Sequence, residues 1–464
     1  MVTTAAGAED EVERVLAAVE RVDPLIASVS AVSTGALDDA RARDRETARG
    51  HSRSPLHGRV ILVKDNIDTA GLASTAGSLA LADAPPAVDA ALVRRLRDAG
   101  MVVVGKTNLS EWANIRAPRS TSGWSGHGGL TRNPYALNRT AWGSSSGSGA
   151  AVAARLAAFA IGTETDGSIT MPAAACGVVG LKPTVGRVST EGVVPISWSQ
   201  DAPGPMALTV AEAAALLDVL AGTDTSASVG SDVRGRRVGV PRALWGTSPA
   251  ADAAAERALT WLSEAGVEIV EGIELPAFAE LDGEQELVLM LTELQVGLAR
   301  YLTARGSTVT SLDDVIAFNR SHAGLELPWF GQEFLERAAG TEGTESAAYR
   351  TAQAACHVAG QGELGRVLTD FNLDALIAPT TSPAPPIDLI NGDPDVAGCS
   401  TQSALAGAPI LTVPLELAHG LPVAVSLWGG RDQEAILVAL GSALERGRDA
   451  AGGPLPAPTF PAWV

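Results

Sequence analysis

A series of short runs in this chain are apolar at nearly every position rather than at alternate ones. Val60-Ile-Leu-Val63, Met101-Val-Val-Val104, Phe159-Ala-Ile161, Ile410-Leu-Thr-Val413 and Val423-Ala-Val-Ser-Leu427 are the clearest. Strands of that kind are buried on both faces, which requires a sheet covered on both sides. Between the early runs lie helical patterns, Asp89–Ala99 ended by Gly100 and an Ala-rich stretch at 150–158. Alternation of strand and helix points to an α/β core. Later, from about 245 to 370, amphipathic helical segments such as Ala250–Ala265 and Leu287–Ala304 dominate. With no internal repeat, residues 1–464 read as one domain carrying a mainly helical insertion at about 245–370.

Composition narrows the function. The formal net charge is −19, which argues against nucleic-acid backbones and anionic membranes as partners. No apolar run reaches membrane-spanning length by inspection. The stretch from Met1 to Asp23 is acidic and amphipathic, without the basic-then-apolar order of a signal peptide, so a cytoplasmic location is expected. Cys176, Cys356 and Cys399 are scattered and odd in number, which offers neither a disulfide framework nor a zinc spacing. They are expected as buried apolar side chains.

The lysines say more. Among 34 basic residues only Lys64, Lys106 and Lys182 are lysine. Guanidinium keeps its proton in a protein, whereas a desolvated amine can lose it. Lys64 ends the apolar run 60–63 and precedes Asp65-Asn66. It is a candidate base, or else a strand-end cation paired with Asp65 or Asp68. Residues 119–149 form a polar Ser/Gly/Trp-rich segment, longer than a simple connector. It closes with Gly143-Ser-Ser-Ser-Gly-Ser-Gly149, and Gly162-Thr-Glu-Thr-Asp-Gly-Ser168 follows. Ser168 lies 24 residues after Ser144. A helix and a returning strand between them can bring both turns to one sheet edge. In Thr165-Asp166-Gly167-Ser168 successive amides can converge on an oxyanion. A serine nucleophile needs a base beside it, and none of the six histidines occupies a comparable strand-end or glycine-rich setting. Gly143–Gly147 also matches G-x-S-x-G with Ser145 central, but Ser/Gly-rich sequence makes that match cheap. No acidic residue and histidine later in the chain stand out as its partners.

Taken in order, V-K-D-N-I-D (63–68), G-S-S-S-G-S-G, and G-T-E-T-D-G-S-I running into C-G-V-V-G-L-K-P-T resemble the amidase signature family. L-S-E-W-A-N (109–114), a G-P-M turn (204–206) and L-P-V-A-V-S-L-W-G-G (421–430) extend the resemblance over nearly the whole chain. It implies an α/β fold with a large mixed β-sheet core covered by helices on both faces. It also implies a catalytic triad of Lys64, Ser144 and Ser168, with a cis Gly143–Ser144 peptide. Ser168 attacks the carbonyl, Ser144 passes its proton to neutral Lys64, and water cleaves the acyl-enzyme. The oxyanion hole falls on Thr165, Asp166 and Gly167, and the reaction needs no metal or organic cofactor.

Departures from the family pattern are Asp166 for glycine, Glu164 for aspartate, Ser146 for glycine and Leu208 for arginine. With T-S-G-W-S-G (121–126), V-P-I-S-W-S-Q-D (194–201) and E-L-P-W-F-G-Q-E (326–333), the chain is similar to the peptide amidases, which remove the C-terminal amide of peptides. A small-molecule or peptide amide is the expected partner, and the oligomeric state is open. A broad-specificity small-molecule or aryl amidase and a glutaminase subunit of a tRNA-dependent amidotransferase are the alternatives. Gly143, Ser145, Asn114 and Trp124 are candidate supporting or substrate-binding residues. Trp198, Trp329 and Phe330 are further candidates for an acyl pocket, and residues 112–116 for a substrate loop. Lys106 and Lys182 are expected to be structural.

Overall fold

The computed structural model describes residues 7–83, 85–396 and 398–463; residues 1–6 of the acidic N-terminal stretch lie outside them. Eleven strands form the central sheet: β1 (Val29–Val32), β2 (Val60–Lys64), β3 (Val102–Thr107), β4 (Phe159–Glu164), β5 (Val179–Lys182), β6 (Ala202–Ala207), β7 (Arg237–Gly239), β8 (Glu268–Val270), β9 (Ala375–Pro379), β10 (Ile410–Ala418) and β11 (Leu421–Trp428). Their order is β1-β3-β2-β4-β6-β5-β10-β11-β9-β7-β8. The pairs β3–β2 and β2–β4 are parallel, as are β9–β7 and β7–β8. The centre, from β4 through β6, β5, β10 and β11 to β9, is antiparallel. The sheet is therefore mixed, as the resemblance implied.

Side chains of successive strand residues go to opposite faces. Ile61, Val63 and Ile161 pack in one buried layer, while Val60, Leu62 and Ala160 pack in another. Seven helices position the site and cover the sheet: α1 (Ala8–Ile26), α2 (Ser146–Ala153), α3 (Thr170–Cys176), α4 (Val210–Ala221), α5 (Pro249–Glu264), α6 (Gly283–Arg305) and α7 (Glu434–Ala451). Apolar residues of α4, α5 and α7 fill the first layer, and those of α1, α2 and α3 the second. The double cover is what makes uninterrupted apolar strands stable.

Several boundaries differ from the expectation. Residues 204–206 form no turn; Gly204-Pro-Met206 lies within β6, paired across to β4. Val29–Val32, between α1 and a helix at Ala36–Ala48, is an edge strand on β3. The Ala-rich helix begins at Ser146, inside the Ser/Gly turn. Residues 245–370 are mainly helical, yet β8 lies within them and extends the central sheet, with α5 connecting it in parallel to β7. That part belongs to the core. Helix α6, 23 residues long, is apolar enough by length and composition to cross a membrane, contrary to the expectation that no segment is. Here Leu291, Leu294, Leu298 and Leu302 pack with Trp112, Ile115, Val194 and Ile196, and α6 also buries Glu286 and Glu293.

Candidate active site

Lys64 is the last residue of β2, whose Val63 is paired with Ile161 of β4. That register sets its amine beside Thr163. Nζ lies within hydrogen-bond distance of Ser144 Oγ at 2.7 Å, Thr163 Oγ1 at 2.9 Å, Ser145 Oγ at 3.0 Å and the Thr163 carbonyl at 3.2 Å. The side chain has no solvent exposure. Burial pushes the amine well below the ordinary lysine range, with the charges of Glu164 and Asp201 opposing the shift. All four acceptors are neutral, so nothing in direct contact compensates a full positive charge. A neutral amine so placed can accept a proton from Ser144.

Ser144 arrives on the Ser/Gly turn before α2, and the Gly143–Ser144 peptide is cis. Gly147 explains part of that turn's composition: a Cβ there would overlap the carbonyl oxygens of Ser28 and Asn108. Ser145, the centre of the G-x-S-x-G match, is fully buried; its Oγ donates to the Thr163 carbonyl at 3.1 Å and accepts from Thr163 N–H at 3.2 Å. It braces Lys64 and β4 rather than facing the cavity. Ser145 N–H also donates to the Ser168 carbonyl at 3.0 Å, tying the two Ser/Gly turns together.

The second turn connects β4 to α3. Gly167 has φ +78°, a conformation glycine adopts without strain. Among the described residues the backbone N–H groups of Asp166, Gly167 and Ser168 donate to no protein acceptor. Glu164 Oε2 accepts from the N–H groups of Ile169 at 2.6 Å and Thr170 at 2.8 Å, fixing the start of α3. The carboxylate of Asp166 turns away from these amides, accepting from Ser400 Oγ at 2.5 Å and Thr401 Oγ1 at 2.6 Å. Burial raises its carboxyl, and those two hydroxyls oppose the shift. Ser168 lines a cavity of about 350 Å³ with Gly143, Thr165 and Asp166. Among the described residues, no hydrogen bond joins Ser168 Oγ to Ser144 Oγ, so the Lys64–Ser144 link is the one already made.

Of the candidate supporting residues, Asn114 lines the cavity; its Oδ1 accepts from Ser120 Oγ at 2.9 Å. Ala113 and Ile115 line it too, and Trp112, Ala113 and Asn114 all have positive φ. The aromatic candidates lie elsewhere. Trp124 meets Phe330 edge-on at 5.2 Å, and the buried Arg116 guanidinium lies over both rings at 5.1 and 4.7 Å. Trp198 and Trp329 are each 45% exposed, and neither lines the cavity. Its apolar wall comes instead from Trp142, Met171, Ile196, Met290 and Val396. Trp142 and Met171 adjoin the two turns and could have been read from that proximity. Met290 on α6 and Val396 carry no local signal. Lys106 donates to the Ile67 carbonyl and to Ser74 Oγ at 2.8 Å, while Lys182 donates to the Ala408 and Pro183 carbonyls. Both amines are lowered by burial to about 8. All three cysteines are free and buried.

The Amidase family model matches residues 10–438. The native peptide amidase of Stenotrophomonas maltophilia superposes with a TM-score of 0.90 and 43% identity, over 97% of this chain and 95% of that one. A Glutamyl-tRNA(Gln) amidotransferase subunit from Myxococcus xanthus is 36% identical, over 96% of this chain and 94% of its own length. A putative amidase of Arthroderma benhamiae is 33% identical, over 94% and 78% respectively. The chain belongs to the amidase signature family and is an amide-hydrolysing enzyme.

Proposed function

We propose that this enzyme hydrolyses the C-terminal carboxamide of peptides, releasing ammonia through a Ser168–Ser144–Lys64 relay. The single observation that carries the relay is the fully buried Lys64 amine, 2.7 Å from Ser144 Oγ among neutral partners. Ser168 Oγ attacks the carbonyl carbon, and its proton passes through Ser144 to Lys64. The negative oxygen that forms is received by the N–H groups of the turn at Thr165, Asp166 and Gly167, with that of Ser168 beside them, where each donor is worth about 10²–10³ in rate. The proton returns along the same path to the departing amine, giving ammonia and an ester on Ser168. Water then adds with Lys64 again as base and frees the carboxylate.

The preference for peptide amides over the two alternatives rests on the higher identity to the peptide amidase, 43%, than to the amidotransferase relative, 36%, or the putative amidase, 33%. Ammonia release from a panel of peptide amides, aryl amides, aliphatic amides and glutamine tests it. Peptide amides are expected to give the highest kcat/KM. A higher value for small aryl or aliphatic amides supports the broad amidase, and glutamine-dependent transfer with copurifying subunits supports the amidotransferase role.

A further inference from the structure

Asp201 bonds to residues of two parts of the cavity wall. Its Oδ1 accepts from Thr165 Oγ1 at 2.6 Å, and its Oδ2 from the N–H groups of Ile196 at 2.9 Å and Ser197 at 3.0 Å. Thr165 and Ile196 both line the cavity. The residue stands immediately before β6, where Ala202 is paired with Glu164 at the end of β4. Its charge also acts on the Lys64 amine. Glu164 acts there too, but Glu164 already serves the first amides of α3.

We propose that Asp201 is a positioning residue for the hydrolysis. It fastens the Thr165 edge of the turn carrying Ser168 to the wall at Ile196, and its negative charge acts on Lys64 as well. The proposal rests on the relay described above. The groups bonded to Asp201 are Thr165 from the turn after β4 and the amides of Ile196 and Ser197 from its own loop; the charges that act with it are Glu293 of α6 and, from β2, Lys64. Burial pushes its carboxyl up to about 6 against the pull of those hydrogen bonds, with Glu293 adding to the rise. Above that pH it is a carboxylate able to accept all three bonds. Asparagine keeps the shape but removes the charge. If its carbonyl serves the two amides, its NH₂ meets the Thr165 hydroxyl, which must then reverse and accept. Losing a negative neighbour lowers the amine's pKa, so Lys64 stays neutral to lower pH but is a weaker base.

The test uses the full chain and two readouts, turnover and the titration of [13Cε]lysine resonances, of which three lysines give three. For Asp201→Asn we expect kcat to fall about tenfold or more, with KM changed less than about threefold. The acid limb of kcat/KM and the Lys64 titration midpoint should both move to lower pH. Thr165→Val should lower kcat and leave the Lys64 midpoint in place, while Thr165→Ser should restore turnover. A Lys64 midpoint and acid limb unmoved in Asp201→Asn overturn the charge role. Unchanged kcat in Thr165→Val overturns the fastening role. If Asp201→Asn does not fold, Asp201→Glu, which keeps the charge and moves the oxygens, takes its place. Lower kcat with an acid limb near the wild-type position is then expected, and wild-type kcat overturns the proposal. The lysine titration requires no turnover, so it separates failure of this proposal from failure of the relay, which Ser168→Ala reports.

Discussion

An amine surrounded by three hydroxyl oxygens and a carbonyl, with no carboxylate in contact, is a poor place for a positive charge and a good place for a base. That contrast sets the expected behaviour of single substitutions. Ser168→Ala should lower kcat by about 10³-fold or more with the melting temperature retained, because it deletes the proposed attacking atom from an otherwise intact turn. Lys64→Arg should be nearly as damaging as Lys64→Ala, since arginine keeps a charge and cannot give it up. Steady-state ammonia release by each variant, beside its circular dichroism spectrum, checks both. The positions of the proposed triad are marked by unusual residue types, three lysines in an arginine-rich chain and two Ser/Gly turns, and the structure brings Lys64 to Ser144. Met290, Val396 and Asp393 of the cavity wall were not legible in the sequence, because their neighbours in sequence carry no chemistry, and only the folded chain brings them to Ser168. Trp124 misled for a related reason. A tryptophan in a polar loop can face a ligand or a buried cation, and Arg116 decides for the second.

At the level of strands and helices, the two Ser/Gly segments are joints where a strand end meets a helix start. Helix α2 begins inside the first, and α3 begins two residues after Ser168. Gly147→Ala should be destabilising by about 1–3 kcal/mol, because the added methyl meets backbone oxygens of Ser28 and Asn108 that cannot step aside. Thermal melting measures this, and an unchanged melting temperature would show that the joint has slack. Uninterrupted apolar runs located the central strands within a few residues. The three-residue strands β7 and β8 are too short to show as runs, and β1 and β6 escaped for reasons of their own. Strand β1, Val-Ser-Ala-Val, is short and only partly buried because it is an edge, and β6 carries two prolines, which normally exclude a central strand. In β6 the pairing to β5 covers only Met206 and Ala207, so Pro203 and Pro205 stand clear of that side of the ladder.

For the whole molecule, enclosing so many ionisable groups ties stability to pH. Glu445 on α7 is one such group outside the cavity. Burial raises its carboxyl to about 7, while its oxygens accept from Val210 N–H at 3.0 Å and oppose the rise. Its folded pKa lies above the unfolded value near 4.3, so the unfolded chain releases that proton first. The group therefore lowers stability progressively as pH rises from about 4 to about 7. Glu445→Gln should be stabilising by about 1–3 kcal/mol at pH 8 and neutral near pH 4.5, which denaturant unfolding at the two pH values checks. An equal effect at both would contradict the assignment.

The central claim is that Lys64 is an uncharged base at the pH where the enzyme works. Titration of its [13Cε] resonance, assigned by loss of one of three signals in Lys64→Met, measures this without substrate. The account predicts a midpoint well below the ordinary lysine value of about 10.4, coinciding with the acid limb of kcat/KM. A Lys64 signal that titrates near the ordinary value would contradict it.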